Sequence, residues 1–214
     1  MPTDRHAVMV MTRYPVPGRT KTRLIPVLGE KGACRLHQYM AEHTMQVVRD
    51  FGKSFHAKIF VFFNGGSKEL MKSWLGGRTE YLPQSAGNLG VKMRIAFRTL
   101  FSRGFKAVLV IGTDCPDIDH DILSESFAWL DKVDMVLGPA ADGGYYLLGL
   151  RRGHDALFEG IAWGGDQVFS QTMNAAAREQ LSVHCLPERK DIDRPEDLEH
   201  LKNISGFSVV GQYP

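Results

Sequence analysis

A dense basic loop follows the first apolar segment of the 214-residue chain. Arg13, Arg19, Lys21 and Arg23 place four cations within eleven residues, and Gly18 lets a ligand approach the backbone closely. Accessible amides, a lysine point charge and an arginine fork together suit a polyphosphate. A Walker A loop is excluded because its Gly-Lys-Thr order is missing, and a solvated surface loop is the alternative interpretation. As a phosphate-binding loop it would contribute Pro17, Gly18, Arg19, Lys21, Thr22 and Arg23, with catalytic roles for Lys21 and Arg23.

Two aspartates stand where a divalent cation could be held. Asp114 follows the apolar run 107–112 with one threonine between them, at a place where an unpaired carboxylate is costly to bury. Asp193, with Asp191, precedes a short helix whose dipole accounts for the acidity after Pro195 but not for these two residues. Because Mg²⁺ takes one or two protein carboxylates together with substrate phosphate and water, we predict Mg²⁺ or Mn²⁺ bound by Asp114 and Asp193, with a catalytic role for Asp114. An ordinary turn is the alternative for Asp114.

Two glycine-containing segments offer further candidate contacts. Segment 84–90 begins the clearest helical pattern, so its amides could hold a base or a phosphate, and simple N-capping by Asn88 is the alternative. Segment 138–146 contains Asp-Gly-Gly between two apolar runs. It is either a hairpin turn or a surface on which a ligand lies against the backbone. The predicted nucleotide contacts are Gln84, Asn88 and Gly90. The predicted substrate contacts are Asp142, Gly143, Gly144, Tyr145 and Trp163, with Asp142 also catalytic.

The segments that must position these residues alternate in kind. Short continuous apolar runs, typical of strands covered on both faces, occupy 7–12, 58–63, 107–112, 135–138 and 145–150, and 182–186 is a weaker strand. Helical spacing occupies 36–51, 89–101, 119–130 and 166–178, and Pro195 begins a last short helix. This order predicts a three-layer α/β/α domain with a mostly parallel, doubly wound sheet. Ligands of such sheets bind beyond the carboxyl ends of the strands, where the basic loop, Asp114 and Asp142 all fall.

Composition excludes several other classes of protein. Hydrophobic residues make up 43% and charged residues 23%, which indicates one globular domain over residues 1–214, with 204–214 as a peripheral tail. The net charge of +2 argues against a nucleic-acid partner. The three cysteines form no CxxC pair, and no signal or membrane-spanning segment is present, so we expect a reduced, cytoplasmic compartment. Zinc-hydrolase, GxSxG and GxGxxG motifs are missing, and the sequence predicts nothing about oligomeric state.

The five segments, in this order, resemble the bacterial radical-SAM/selenodomain-associated transferases, a branch of the nucleotide-diphospho-sugar transferases. The matching segments are PVPGRTKTRL (15–24), LG (89–90), GTDCPD (112–117), GPAADGGYY (138–146) and DIDRPEDL (191–198), and the resemblance covers about residues 7–201. It implies a GT-A-like fold, glycosyl transfer and a metal ligand at Asp114. Related nucleotidyltransferases imply the second ligand at Asp193. The first loop is also similar to that of phospholactate guanylyltransferases, in which a Lys-x-Arg-Leu stretch helps to hold the triphosphate.

The chain departs from the family pattern at three places. Asn88 stands where an aspartate is frequent, and Arg194 replaces the usual threonine cap. Gly164-Gly165 follows Trp163 where members commonly carry two hydroxyl residues, so a hydroxyl contact to an acceptor is missing there.

The sequence therefore predicts a transferase that uses an activated nucleotide and a small-molecule acceptor. The leading expectation is glycosyl transfer from a nucleotide-sugar, with Mg²⁺ stabilising the diphosphate leaving group. One alternative is nucleotidyl transfer from a nucleoside triphosphate to a phosphorylated acceptor, with release of pyrophosphate. Another is a nucleotide-binding module without catalysis, which the Gly164-Gly165 departure keeps open.

Overall fold

The computed structural model describes residues 6–77 and 79–201, and the predicted peripheral tail lies outside them. Within these residues one sheet contains β1 (His6–Arg13), β2 (Lys58–Asn64), β3 (Glu80–Pro83), β4 (Ala107–Ile111), β5 (Met135–Pro139), β6 (Tyr145–Leu150) and β7 (Val183–Cys185). The strand order is β3-β2-β1-β4-β6-β5-β7. Strand β6 runs antiparallel to its neighbours β4 and β5, and the other pairs are parallel. The predicted mostly parallel α/β fold is confirmed.

Six α-helices and three short 3-10 helices, at Thr22–Leu24, Asp155–Phe158 and Pro195–Asp197, accompany the sheet in the part of the chain that the structure describes. The α-helices are α1 (Ile25–Phe55), α2 (Lys68–Leu75), α3 (Leu89–Ser102), α4 (His120–Leu130), α5 (Val168–Arg178) and α6 (Leu198–Leu201). Helix α1 is longer than predicted and is kinked at Gly29, whose backbone is not helical. Asn88 and Asp119 cap α3 and α4 by accepting hydrogen bonds from the amides of Val91 and Ile122. None of the described helices is long and apolar enough to cross a membrane.

Helix α2 and strand β3 were missed by the sequence analysis. Helix α2 buries only Met71 and Leu75, and two buried residues are too few to give a recognisable helical pattern of apolar residues. Strand β3 has four residues and ends at Pro83, and it lies at the edge of the sheet, where a proline is tolerated. The omission leaves the fold class unchanged, because β3 adds one parallel strand at the edge of the sheet and α2 is the connection that leads to it.

Apolar side chains cover both faces of the sheet. Successive residues of β1 point to opposite faces, so that Val8 packs in one cluster with Phe51 and Phe127, while Met9 packs in the other with Phe97. Helices α1 and α4 therefore lie on one face, and α3 and α5 on the other. These are the three predicted layers.

A third, smaller apolar cluster joins the basic loop to the acidic segment around residues 191–193. Leu24, at the end of the basic loop, is fully buried, and so is Ile192, between Asp191 and Asp193. Both pack in one cluster with Leu36 and Met40 of α1. This apolar contact holds the basic loop next to the acidic segment, although about 170 residues separate them in sequence.

Candidate functional site

A cleft opens at the carboxyl edge of the sheet and has two lobes. One cavity, of about 730 Å³, contains most of the acidic side chains and is called the acidic lobe here. The other, of about 530 Å³, contains most of the basic ones and is called the basic lobe. The lobes share the lining residues Met11, Arg23, Leu89, Asp114 and Asp193. The acidic lobe is lined by the carboxylates of Asp114, Asp142, Asp166, Asp191, Asp193, Glu196 and Asp197. The basic lobe is lined by Arg13, Arg19, Lys21, Arg23 and Lys92.

Lys21 lies at the junction of the two lobes. Its Nζ is 2.5 Å from Asp114 Oδ1 and 3.7 Å from Asp193 Oδ1, and it also donates to the carbonyl of Ile192. The Lys21 side chain is only 3% exposed, whereas 49% of the Asp114 side chain is accessible from the cleft. Burial acts to raise the pKa of Asp114, but Lys21, together with the more distant His37 and Arg13, holds it below its usual range. Asp114 is therefore an ionised carboxylate whose closest cation is Lys21.

The segment that carries Asp193 is held by a buried carboxylate. Asp197 Oδ2 accepts hydrogen bonds from the backbone amides of Asp193, at 3.0 Å, and Arg194, at 2.7 Å. Its other oxygen lies 3.2 Å from Lys190 Nζ. Burial acts to raise the pKa of Asp197, but these amides and Lys190 lower it below its usual value. Arg23 completes the arrangement with a 2.6 Å ion pair to Asp193 Oδ2.

Asp191 is a further carboxyl group of the acidic lobe, and its environment differs from that of Asp114. Burial, reinforced by the nearby negative charges of Asp114, Asp142 and Asp193, raises the pKa of Asp191 to about 7, and Lys21 opposes this only in part. Asp191 is not among the site residues predicted from the sequence. The signal that pointed to it is the alternation of 191–193, which sends two carboxylates to one side of an extended segment.

The junction of the lobes fits a divalent cation with oxygen ligands. Asp114 and Asp193 both come within 4 Å of one ammonium group, and their side chains are 49% and 40% exposed to the cleft. Mg²⁺ is commonly held by one or two carboxylates, with phosphate and water completing its shell. Within the described residues no group of three or more His, Cys, Asp or Glu side chains converges as a complete protein-only metal site. The donor set therefore suits a cation that is shared with a phosphate ligand.

The basic loop is organised partly by its own backbone. Arg13 donates to the carbonyl of Arg19 at 2.9 Å, and the buried Thr20 hydroxyl donates to the carbonyl of Val16. His37 of α1 contacts the carbonyl of Arg13 at 3.0 Å, and burial lowers the pKa of His37. The predicted residues Arg19, Lys21, Thr22 and Arg23 line the basic lobe. Pro17 and Gly18 line neither lobe, and Gly18 packs instead beside the carboxylate of Glu30.

The segment before α3 places only one of its three predicted contacts in the cleft. Gln84 lines the basic lobe, and its amide donates to the carbonyls of Thr12 and Phe62 at the ends of β1 and β2. Asn88 lines neither lobe and caps α3, which is the alternative that the sequence left open. Gly90 also lines neither lobe. A Cβ at Gly90 would lie 2.3 Å from Nε1 of Trp163, so the missing side chain makes room for the indole.

The turn between β5 and β6 contributes the wall of the acidic lobe. Asp142, Gly144 and Tyr145 line the lobe, and Asp142 Oδ1 accepts a 2.9 Å hydrogen bond from the amide of Gly144. Gly143 has a φ of 87°, and a Cβ there would lie 2.0 Å from the carbonyl oxygen of Asp166. Its glycine therefore serves a close approach between two backbone segments rather than a contact with the lobe.

An aromatic corner faces these groups. Trp163 lines the acidic lobe and packs edge-on against Tyr145, with their ring centroids 6.4 Å apart. Burial raises the pKa of Tyr145, so its hydroxyl stays protonated. Gly164 and Gly165 continue the lining, so the departure from the family pattern lies within the lobe itself.

The fold is the one that nucleotidyltransferases and nucleotide-diphospho-sugar transferases share. Residues 47–165 match the family model described as "Uncharacterized protein conserved in bacteria (DUF2064)", and the chain belongs to this family. No curated protein matches the chain in sequence.

Solved structures resemble the chain over nearly its whole length. A protein of Desulfovibrio desulfuricans G20 named "putative nucleotide-diphospho-sugar transferase" has 28% identity and a TM-score of 0.87, with 98% of each chain covered. The 4-diphosphocytidyl-2C-methyl-D-erythritol synthase of Anaerococcus prevotii DSM 20548 has 13% identity and a TM-score of 0.58, with 90% of this chain and 92% of that chain covered. Rv0371c of Mycobacterium tuberculosis H37Rv, in complex with manganese, has 15% identity and a TM-score of 0.55, with 94% and 100% covered. The last two support the fold alone.

Proposed function

We propose that the protein is a metal-dependent transferase that acts on an activated nucleotide, with glycosyl transfer from a nucleotide-sugar as its reaction. The observation that carries the proposal is the junction of the two lobes. There Asp114 and Asp193 lie between a cation-lined cavity and a carboxylate-lined cavity. A nucleotide-sugar has the matching division, since its diphosphate is anionic and its sugar is neutral.

In this proposal the basic lobe binds the diphosphate. As the bond to the leaving group breaks, negative charge builds on the phosphate oxygens, and cations already in place stabilise that charge. Arg19 and Arg23 line the basic lobe with exposed side chains, and Arg23 would divide its charge between Asp193 and the phosphate. A divalent cation held by Asp114 and Asp193 would neutralise part of the same charge.

The acidic lobe would then hold the sugar and the acceptor. Trp163 and Tyr145 offer apolar faces, and Asp142 offers carboxylate oxygens for hydroxyl groups. The Gly164-Gly165 segment leaves the wall beside Trp163 without side chains, which gives room to an acceptor but no hydroxyl contact. In this arrangement Asp142 orients the acceptor hydroxyl and can take its proton.

A second reaction, nucleotidyl transfer, is favoured by the density of charge in the basic lobe. Five basic side chains line it, which suits a triphosphate better than a diphosphate. A diphosphocytidyl synthase shares the fold, so the fold is compatible with this reaction. In this reaction an acceptor phosphate attacks the α-phosphorus, and pyrophosphate leaves.

The test begins with ligand binding and then identifies the leaving group. Nucleoside di- and triphosphates and nucleotide-sugars are screened by thermal shift with and without Mg²⁺, since a ligand that binds the folded state raises the melting temperature. Hits are incubated with Mg²⁺ and candidate acceptors. Nucleoside diphosphate as product supports glycosyl transfer, and pyrophosphate supports nucleotidyl transfer. Binding without turnover would favour the nucleotide-binding module, and the lack of any hit would refute all three.

The variant Asp114→Asn tests the metal role within the same assay. It should abolish turnover while the far-UV circular dichroism stays unchanged. Asp50→Asn is a matched control, because Asp50 also pairs with a lysine and its side chain is 54% exposed, close to the 49% of Asp114. Full turnover by Asp114→Asn would remove Asp114 from the mechanism.

A further inference from the structure

Lys21 has a buried side chain that is already paired with acceptors of the protein, unlike a lysine whose ammonium is open to a phosphate. Its side chain is 3% exposed, and its ammonium contacts Asp114, Asp193 and the carbonyl of Ile192. Three acceptors match the three N–H donors of an ammonium group. Within the described residues its hydrogen bonds and ion pairs are therefore all made with the acidic segments of the protein.

The ammonium also occupies the position that a divalent cation needs. A metal ligated by Asp114 and Asp193 must lie between their oxygens, about 2.0–2.1 Å from each if it is Mg²⁺. Lys21 Nζ lies between the same oxygens, 2.5 Å from one and 3.7 Å from the other. Two cations cannot share this space, because the like charges would repel each other strongly in a partly buried site.

The backbone of Lys21 is fixed, so only its side chain can move away from the aspartates. Its backbone is in the left-handed region, with φ 48° and ψ 46°, which is uncommon for a lysine. The neighbouring Thr20 and Leu24 are buried, and the Leu24 amide donates to the Lys21 carbonyl at 2.9 Å. The four-carbon stem can nevertheless rotate, and Lys21 lines the basic lobe as well as contacting the aspartates. Rotation would move the ammonium from the carboxylates toward the cavity proposed for phosphate.

We infer that Lys21 is a built-in counter-ion that occupies the metal position of the metal-free protein and is displaced when a divalent cation binds to Asp114 and Asp193. The inference rests on the proposed function, because it requires the metal site. It assigns Lys21 two successive partners, first the aspartates and then the phosphate predicted from the sequence. Lys21 thereby sets the metal concentration at which the site fills.

The test measures Mn²⁺ binding without any nucleotide, by the electron paramagnetic resonance signal of free Mn²⁺. Lys21→Met removes the competing charge and should tighten Mn²⁺ binding about tenfold, within the 5- to 150-fold range typical of coupled binding events. Lys21→Gln, which keeps a donor for the Ile192 carbonyl, should act in the same direction. Lys92→Met removes the same charge from the same lobe without a contact to either aspartate, and its effect should be much smaller.

A second measurement uses the unaltered protein and does not depend on the folding of a variant. In the metal-free state Lys21 should react with an amine-acylating reagent far more slowly than Lys53, whose side chain is 76% exposed. Saturating Mn²⁺ should accelerate acylation of Lys21 and leave that of Lys53 unchanged, as followed by mass spectrometry.

The outcomes separate this inference from the proposed function. Equal or weaker Mn²⁺ binding by both Lys21 variants, or acylation of Lys21 that Mn²⁺ does not change, would overturn the inference while the metal site stands. No Mn²⁺ binding by the wild-type protein or by either Lys21 variant would overturn the inference. If added pyrophosphate does not bring about Mn²⁺ binding either, the metal site is overturned with it.

Discussion

Replacement of Gly90 by alanine separates two roles for this glycine, phosphate contact and packing. The position is the second residue of α3, and its φ is not in the left-handed region. Alanine at such a position gains up to about 1 kcal/mol of helix propensity. Against this gain, the new Cβ would lie 2.3 Å from Trp163 Nε1. Carbon contacts prefer separations of about 3.5 Å or more, so the indole must move by more than about 1 Å.

The expected cost follows from that displacement. Inserting a methyl group into a packed contact costs about 1–3 kcal/mol, so Gly90→Ala should lower the free energy of unfolding by about 0–2 kcal/mol. In a Trp163→Ala background the clash disappears, and the same change should be neutral or stabilising by up to about 1 kcal/mol. The coupling between the two positions should therefore be about 1–3 kcal/mol, which lies within the range of about 0.5–3 kcal/mol found for residues in contact.

The assay is a double-mutant cycle in urea, followed by far-UV circular dichroism. Four proteins are compared: wild type, each single variant and the double variant. Ligand binding in the acidic lobe should weaken in Gly90→Ala, because Trp163 lines that lobe. If Gly90→Ala had the same effect in both backgrounds, packing against Trp163 would not be the reason for glycine at this position. The phosphate contact predicted from the sequence would then be the better account.

Three further predictions concern charge. Asp134→Asn should lower the free energy of unfolding by about 1 kcal/mol near pH 7, because the Asp134 carboxylate accepts two hydrogen bonds from Ser182, at 3.1 and 2.7 Å. These hydrogen bonds lower the pKa of Asp134, although burial acts in the opposite direction. Because the pKa of Asp134 is lower in the folded than in the unfolded protein, its contribution to stability is present above the unfolded pKa and is lost as the pH falls through the folded pKa. The urea midpoints of variant and wild type should therefore converge in acid, and a gap that stays constant with pH would contradict this. Asp197→Asn should weaken Mn²⁺ binding by a factor of about 10–100, since the Asp197 carboxylate holds the backbone of the proposed ligand Asp193 in place. Unchanged Mn²⁺ affinity would show that these amide contacts do not orient Asp193. Arg23→Met should weaken pyrophosphate binding by about tenfold in isothermal titration calorimetry, as a charge-assisted contact is worth about 1.5–3 kcal/mol, and equal affinity would remove Arg23 from the basic lobe's function.

The elements that the sequence predicted correctly are those with dense apolar patterns. Strand β4 is buried at every position, and α3 repeats apolar residues at helical spacing, so both stand out in a single sequence. Strand β3 and helix α2 do not, because the edge of the sheet requires few buried side chains. Asn88 caps α3, which is the alternative that its residue type left open beside the predicted nucleotide contact.

The roles of glycines were harder to predict than their positions. A glycine signals that something approaches the backbone closely, but the sequence does not say what approaches. Gly90 makes room for an indole and Gly143 for the backbone of Asp166, whereas ligand contact was predicted for both. Both partners lie more than twenty residues away in sequence, so only the tertiary structure could identify them.

The convergence of the charged segments follows from the order of the strands. In β3-β2-β1-β4-β6-β5-β7 the direction of strand addition reverses between β1 and β4, and the loops after these two strands diverge to leave a crevice. The basic loop follows β1 and Asp114 follows β4, so the contact between Lys21 and Asp114 lies at this switch point. Both loops could be identified in the sequence, but the adjacency of β1 and β4 could not. For this reason a phosphate was predicted as the partner of Lys21, and not Asp114 on the other side of the crevice. Any ligand that binds there meets a lysine whose charge is already paired with Asp114. The charge at the junction is therefore set by the topology of the sheet as much as by the residues that line it.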